Sequence, residues 1–340
     1  MKTPNSTPIT ATALALRWTL AAVAVLVLAV AGVIIANRTL FSPSHDVKEL
    51  QQDLANGEGA KALGLMQATV PKGDAVALNG EVLKRTQKGV TDFSTDKAQP
   101  VKGNKELRTV TAHYKVDGVD KQSTYTLRHI GKSWLFFDNW AFEPSTLPSV
   151  KIKANTVNEV TVNEQKIPLD AGVSTLPVFY PSVLDASFST KNFAADTRGV
   201  VVTAPAEDPV EIALKTEPTD AFISAINSKV KKYLDDCTSQ QVLMPSGCPF
   251  SYNTSARVDS STINWDITKY PTIKVSYYNG SWVLSPLKTS AALTLTEQDL
   301  RTGSKEKKTV NDTYSFTAKL TTSTTEVSVV PVAGGQQVAQ

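Results

Sequence analysis

From Trp18 to Ala36 the chain reads WTLAAVAVLVLAVAGVIIA, about 19 positions without a charged side chain. At 1.5 Å per residue this makes roughly 28 Å of helix, close to the thickness of a bilayer core. Arg17 and Trp18 at one end and Asn37-Arg38 at the other suit the two interfaces. The pattern predicts a membrane anchor, with Trp18, Val25, Val27, Ile34 and Ile35 as its lipid-facing residues. A cleaved signal peptide is the competing reading, with Ala29-Val30-Ala31 as a small-x-small site. The apolar run continues through Val33, Ile34 and Ile35, which favours a retained anchor. Lys2 and Arg17 are the only charged side chains before the run, and both are positive. The positive-inside rule therefore leans towards a cytoplasmic N-terminus at the cell membrane, with the rest of the chain outside.

Beyond a juxtamembrane linker over 37–44, the periodicity becomes helical. Asp46 with Glu49 three residues on has capping-box spacing, and Val47, Leu50 and Leu54 form an apolar stripe. Asn56-Gly57 breaks this helix. A second short one is expected over 59–67, and an amphipathic stretch over 76–85. The period then shifts to two, predicting strands over 107–116, 123–130 and 133–137, with turns at Asp117-Gly118 and Gly131-Lys132.

The joint Glu143-Pro144-Ser145-Thr146-Leu147-Pro148 precedes residues 149–215, which show no helical period. Short strands there, at 150–154, 159–162, 187–190, 200–203 and 210–214, predict a small β-sandwich. After Thr216-Glu217-Pro218, Thr219 is positioned to cap a helix over 220–237, with Phe222, Ile226, Val230, Tyr233 and Cys237 on one face. Strands follow at 261–267, 272–278, 281–284, 291–296, 313–320 and 326–330. Asn279-Gly280 is a two-residue hairpin signal.

The fold class is thus α+β to mainly β and modular. One N-terminal transmembrane helix (18–36) follows a tail over 1–17. Two helix-plus-curved-antiparallel-sheet domains, 45–147 and 217–333, flank a small β-sandwich over 148–216, and 334–340 is a tail. The stretches Gly131-Lys132-Ser133-Trp134 and Gly280-Ser281-Trp282 look alike, as if one module were duplicated.

The net charge of +3 over 340 residues is small, and signs are mixed along the chain, so a nucleic-acid binder is disfavoured. Cys237 and Cys248 are the only cysteines. In an exported chain, two cysteines so close in sequence point to a disulfide. No His follows residue 129, so a metal site is not expected. His45, His113 and His129 have no nucleophile marked beside them, and Gly57-Glu58-Gly59 lacks the context of a phosphate loop. No cofactor and no catalytic set are indicated. Trp134, Trp140, Trp265 and Trp282 lie in or beside predicted strands, as core or as the lining of a pocket. Asp138-Asn139 and Asp266 are the polar groups nearest them, and Asp138 or Asp266 is the acid to test if a module holds a reactive pocket.

The order of anchor helix, helix-plus-sheet domain, small β domain and second helix-plus-sheet domain resembles the teicoplanin-resistance-associated (TcaA-like) membrane proteins of Gram-positive bacteria. The residues that prompt this are Asp46–Leu54, Asp220–Cys237, the paired Gly131…Trp134 and Gly280…Trp282 hairpins, and Val162-Asn163-Glu164. The modules themselves resemble the nuclear-transport-factor-2-like (cystatin-like) superfamily. The family usually begins with a zinc ribbon of four cysteines, and residues 1–17 contain none. The resemblance implies a non-enzymatic cell-envelope protein that binds a ligand, wall polymer or envelope partner. An enzyme built on one module, and a plain spacer, are the rival readings.

Overall fold

A computed structural model describes residues 11–332. The first ten residues of the expected N-terminal tail, and the tail over 334–340, lie outside them. The chain divides into two compact units: residues 1–153, 161–186 and 198–213, and residues 154–160, 187–197 and 214–340.

In the first unit, α1 (Ala11–Thr39) contains a 24-residue segment, Leu16–Thr39, long and apolar enough to cross a membrane. Between Leu16 and Thr39 its apolar side chains are exposed, apart from the half-covered Val33 and Ala36. The helix starts earlier than expected and runs on through Thr39, and α2 (Pro43–Asn56) begins three residues later. The linker expected over 37–44 therefore shrinks to Leu40–Ser42. Ser42, rather than Asp46, caps α2: its side chain accepts from the His45 N–H, and Pro43 occupies the first turn, where its missing N–H costs nothing. The Val47, Leu50 and Leu54 stripe is buried as predicted.

Gly57 adopts a left-handed C-cap and α3 (Gly59–Met66) follows at once. The expected helix over 76–85 divides at Asn79 into a 3-10 turn, Ala75–Leu78, and α4 (Gly80–Gln87). Asp74 caps the 3-10 turn by accepting from the Val76 N–H. α2 and α3 pack on a curled antiparallel sheet in the order β1 (Thr91–Thr95), β3 (Asn104–Val116), β4 (Val119–Ser133), β5 (Phe137–Phe142), with β2 (Gln99–Val101) on β3, while α4 lies against α2. Val110, Ala112, Tyr114, Tyr125 and Leu127 form the buried face of this sheet.

The turn expected at Gly131-Lys132 is displaced. Gly131 sits at a register shift within the β4–β5 pair, and β4 continues to Ser133, which pairs with Phe137. Trp134, Leu135 and Phe136 are therefore the turn itself, and the strand expected over 133–137 does not form. The likeness to the later hairpin is one of sequence only. There, Asn279 and Gly280 form the two-residue turn as predicted and Trp282 stands on the returning strand, opposite Tyr277.

The first unit also holds the three-stranded sheet β12-β6-β9, from β6 (Ser149–Ala154), β9 (Val173–Pro177) and β12 (Val210–Leu214). With it run β8 (Gln165–Pro168), most of β10 (Ser182–Ser189) and half each of β7 (Glu159–Val162) and β11 (Phe193–Val202), paired in the order β11-β10-β7-β8. The sequence did not signal β8 or β9. Buried Gln87 of α4 links to these strands, its side-chain amide donating to the Pro181 carbonyl at 2.8 Å.

In the second unit, β13 (Glu217–Pro218) pairs with the start of β11. α5 (Asp220–Thr238) is capped by the Thr219 hydroxyl, as predicted. Its buried stripe is Phe222, Ile226, Val230, Leu234 and Cys237. Tyr233, expected on this face, is half-exposed, and its hydroxyl donates to the Gly247 carbonyl at 2.7 Å. The helix packs against β15 and β20 of a sheet ordered β14 (Arg257–Val258), β18 (Leu287–Gln298), β19 (Lys305–Thr322), β20 (Val327–Val332), with β15 (Asn264–Lys269) on β18. β16 (Val275–Tyr278) and β17 (Ser281–Leu284) make a separate hairpin.

Candidate functional sites

The anchor residues named from the sequence all lie exposed on α1: Trp18, Val25, Val27, Ile34 and Ile35 meet nothing that buries them. Only Val33, Ala36 and Asn37 are half-covered between Leu16 and Thr39. Their spacing of three and four residues puts them on one face. There the Asn37 amide donates to the Phe136 carbonyl at 2.8 Å, and its oxygen accepts from the Asp138 N–H at 3.1 Å. Phe41 stacks on Phe137 at 4.5 Å.

Cys237 and Cys248 form a disulfide. Cys237 closes α5, whose apolar stripe buries it, and the loop over 239–248 folds back on it. Gln240 holds that loop, its side-chain oxygen accepting from the Ser246 N–H at 2.8 Å and its amide donating to the Ser246 carbonyl. The bridge is a staple between a helix end and a turn.

The polar residues singled out in the first unit gather beside the β4–β5 turn. Asp138 Oδ1 lies 3.3 Å from His129 Nε2 and 3.7 Å from Lys132 Nζ. Trp140 meets the His129 ring edge-on at 5.0 Å, and the Arg108 guanidinium lies over Trp140. Asn139 and Ser133 bond to each other across the strands at 2.7 Å. A His-Asp pair needs a hydroxyl or thiol within reach of the imidazole to act on an acyl group. The adjacent hydroxyl, Ser133, is turned to Asn139 instead. Asp138 and Trp140 are both half-buried.

In the second unit Trp265 is core. It packs on Phe250 at 4.7 Å, and its indole N–H donates to the Val242 carbonyl at 2.8 Å. Burial pushes the nearby Tyr314 phenol up to about 12. Asp266, next along β15, points the other way and is exposed, as alternation requires. Trp282 stacks on Phe193 at 4.9 Å. Asp266 therefore lies on the opposite face from Trp265, whereas Asp138 and Trp140 both flank His129.

Two depressions among the described residues of the first unit bear on this. One of about 540 Å³ is lined by His113, Asp120, Lys121, Gln122, Val201 and Thr203, with His113 Nε2 2.9 Å from Asp96. The other, about 220 Å³, has Met66, Tyr125, Phe142, Tyr180 and Glu143 among its lining residues. Tyr125 is buried there, donates to the Tyr180 carbonyl at 2.7 Å and has its phenol pushed well up by burial. Glu143 is clamped by Arg128, which holds its carboxyl below the usual range. Neither depression is lined by Asp138 or Asp266. Among the described residues no three His, Cys, Asp or Glu side chains are grouped to hold a metal ion. No family model, curated protein or solved structure matches the chain.

Proposed function

We propose that this is a non-enzymatic, single-pass membrane protein of the bacterial cell envelope. Its N-terminus lies in the cytoplasm, and its two units lie outside, where they bind a ligand, wall polymer or protein partner. The observation that carries this reading is α1. Its 24-residue apolar segment is not buried by the rest of the chain, so in water it would expose most of its apolar surface. Lipid is the solvent that suits such a helix.

The Cys237–Cys248 bridge supports the placement of the units, because disulfides persist in oxidising compartments and are rare in the cytosol. The enzymatic reading draws less support. Asp138 is engaged by His129, Lys132 and the Asn37 contact at its backbone, while Asp266 faces solvent. As for the spacer reading, the many short strands between the two helix-bearing segments are compatible with it, but they give it no site of its own.

The test is cysteine labelling on intact cells with a membrane-impermeant maleimide, with and without reduction. Labelling that appears only after reduction, without lysis, is the expected result. Labelling that needs lysis but no reduction places the cysteines in the cytoplasm as free thiols and overturns the proposal.

A further inference from the structure

The β4–β5 turn presents three large apolar side chains in succession: Trp134, Leu135 and Phe136 are 85%, 84% and 57% exposed. Turns favour Gly, Asn and Asp, above all where φ is positive. Here Trp134 and Leu135 take φ of +53° and +67°, left-handed values that bulky residues rarely adopt. The hairpin thus holds its most apolar residues outward in a conformation they disfavour. Core packing gives no reason for this, since none of the three is in the core.

The position of the tip supplies one. Asn37 directly follows the apolar run that ends at Ala36, so in a membrane it would stand where hydrocarbon gives way to head groups. Its side chain grips the hairpin on both sides of the turn, at the Phe136 carbonyl and the Asp138 N–H. The half-covered face of α1 continues from Asn37 to Val33, one helical turn towards the bilayer centre. Only Leu40–Ser42 separate α1 from α2, and Phe41 is stacked on Phe137, so the hairpin is held close to the helix end. Exposed Arg38 and Lys132 add cationic groups beside the tip, and Leu40 adds another exposed apolar side chain.

We propose that Trp134-Leu135-Phe136 is a second membrane contact, immersed in the interfacial layer of the bilayer that α1 crosses. Tryptophan and phenylalanine suit that layer, where an aromatic body meets hydrocarbon while polar groups stay hydrated. The backbone carbonyls and amides of the turn exclude a deeper position, because the hydrocarbon core would leave them unpaired. A single helix lets its attached domain swivel. A tip anchored beside it fixes which face of the first unit lies against the membrane. This inference rests on α1 spanning a bilayer.

The test uses the full chain with its disulfide intact. Leu135→Cys and, at the far end of β4, Asp120→Cys are each labelled with a nitrobenzoxadiazole fluorophore. Each is reconstituted into vesicles of three parts phosphatidylcholine to one part phosphatidylglycerol, with or without lipids carrying a nitroxide high on the acyl chain. The expected result is blue-shifted emission at position 135, quenched by the nitroxide several-fold more strongly than at position 120. Water-like emission and weak quenching at both positions, in protein that resists alkaline extraction, overturns the second contact and leaves the anchor standing. Blue-shifted emission at 135 without quenching points to a protein neighbour and also overturns it. Release of the protein from vesicles by alkali shows instead that α1 does not anchor the chain.

Discussion

Gly59 and Gly64 lie in the same short helix, α3, and call for opposite expectations. A Cβ at Gly59 would meet the Leu78 carbonyl oxygen at 1.6 Å, against backbone that cannot yield cheaply. At Gly64 nothing lies within 4 Å. Gly59→Ala is expected to destabilise the first unit by about 3 kcal/mol or more, as overpacking against a fixed neighbour does. Gly64→Ala is expected to stabilise it by roughly 0.5–1 kcal/mol through helix propensity. Urea melts of the two variants check both signs. The sequence shows the Gly57-Glu58-Gly59 break, but not that both of its glycines abut distant backbone, Gly57 at the Gly80 carbonyl and Gly59 at the Leu78 carbonyl.

Asp46 offers a second residue-scale test. Burial pushes its carboxyl up to about 6, with His45 opposing the shift and Glu49 adding to it. An acid whose folded pKa exceeds its unfolded value binds more protons when folded, so its burial costs stability as pH rises from about 4 to about 6. Asp46→Asn is expected to raise the melting temperature near pH 7. The gain should shrink to nothing as pH falls below about 4, once both states of the wild type are protonated. A gain that is flat with pH would assign the effect to something other than ionisation. The residue was legible as a helix-start acid, whereas its burial was not.

At the scale of elements, turn chemistry separates what could be read from what could not. Asn279-Gly280 places both residues at positive φ, the arrangement a two-residue hairpin needs, and the turn falls where those residues stand. Gly131-Lys132 looked equally suitable, yet Gly131 serves a register shift and Trp134-Leu135 make the turn. Helix α5 was legible almost to the residue because its cap, its period and its closing cysteine agree. Leu234 replaces Tyr233 in the buried stripe, since tyrosine keeps its hydroxyl at the edge, where it bonds Gly247. The disulfide closes a separation of 11 residues. Cys248→Ser is therefore expected to cost the second unit roughly 3 kcal/mol on the chain-entropy estimate. In thermal unfolding this appears as a lower melting temperature, and reduction of the wild type should reproduce it.

For the whole molecule, the labelling experiment carries the most weight, because topology decides which partners either unit can reach. The two cysteines make it a clean test. They are the only thiols in the chain and both are in the bridge, so a signal without reduction has no source in an oxidised, exported protein. The units are less simply cut than the three-domain expectation suggests. Most strands of the predicted small sandwich group with the first helix-plus-sheet segment, while 154–160 and 187–197 group with the second. Such interleaving follows from long strands such as β10 and β11, which run on from one unit into the other and leave no composition shift to mark the boundary.

By itself the sequence determined what depends on neighbours along the chain. It marked the apolar helix, the stripe of α2, the cap and face of α5, the alternation of the long strands, the Asn-Gly turn and a cysteine pair close enough to bridge. Periodicity and turn propensity act over a few residues, so a few residues suffice to read them. Only the tertiary structure decided which strands pair, which glycine abuts a carbonyl, where the β4–β5 chain turns, and that Asn37 holds that turn beside the end of α1. Those outcomes join residues up to about a hundred positions apart, and no local pattern encodes a partner that distant.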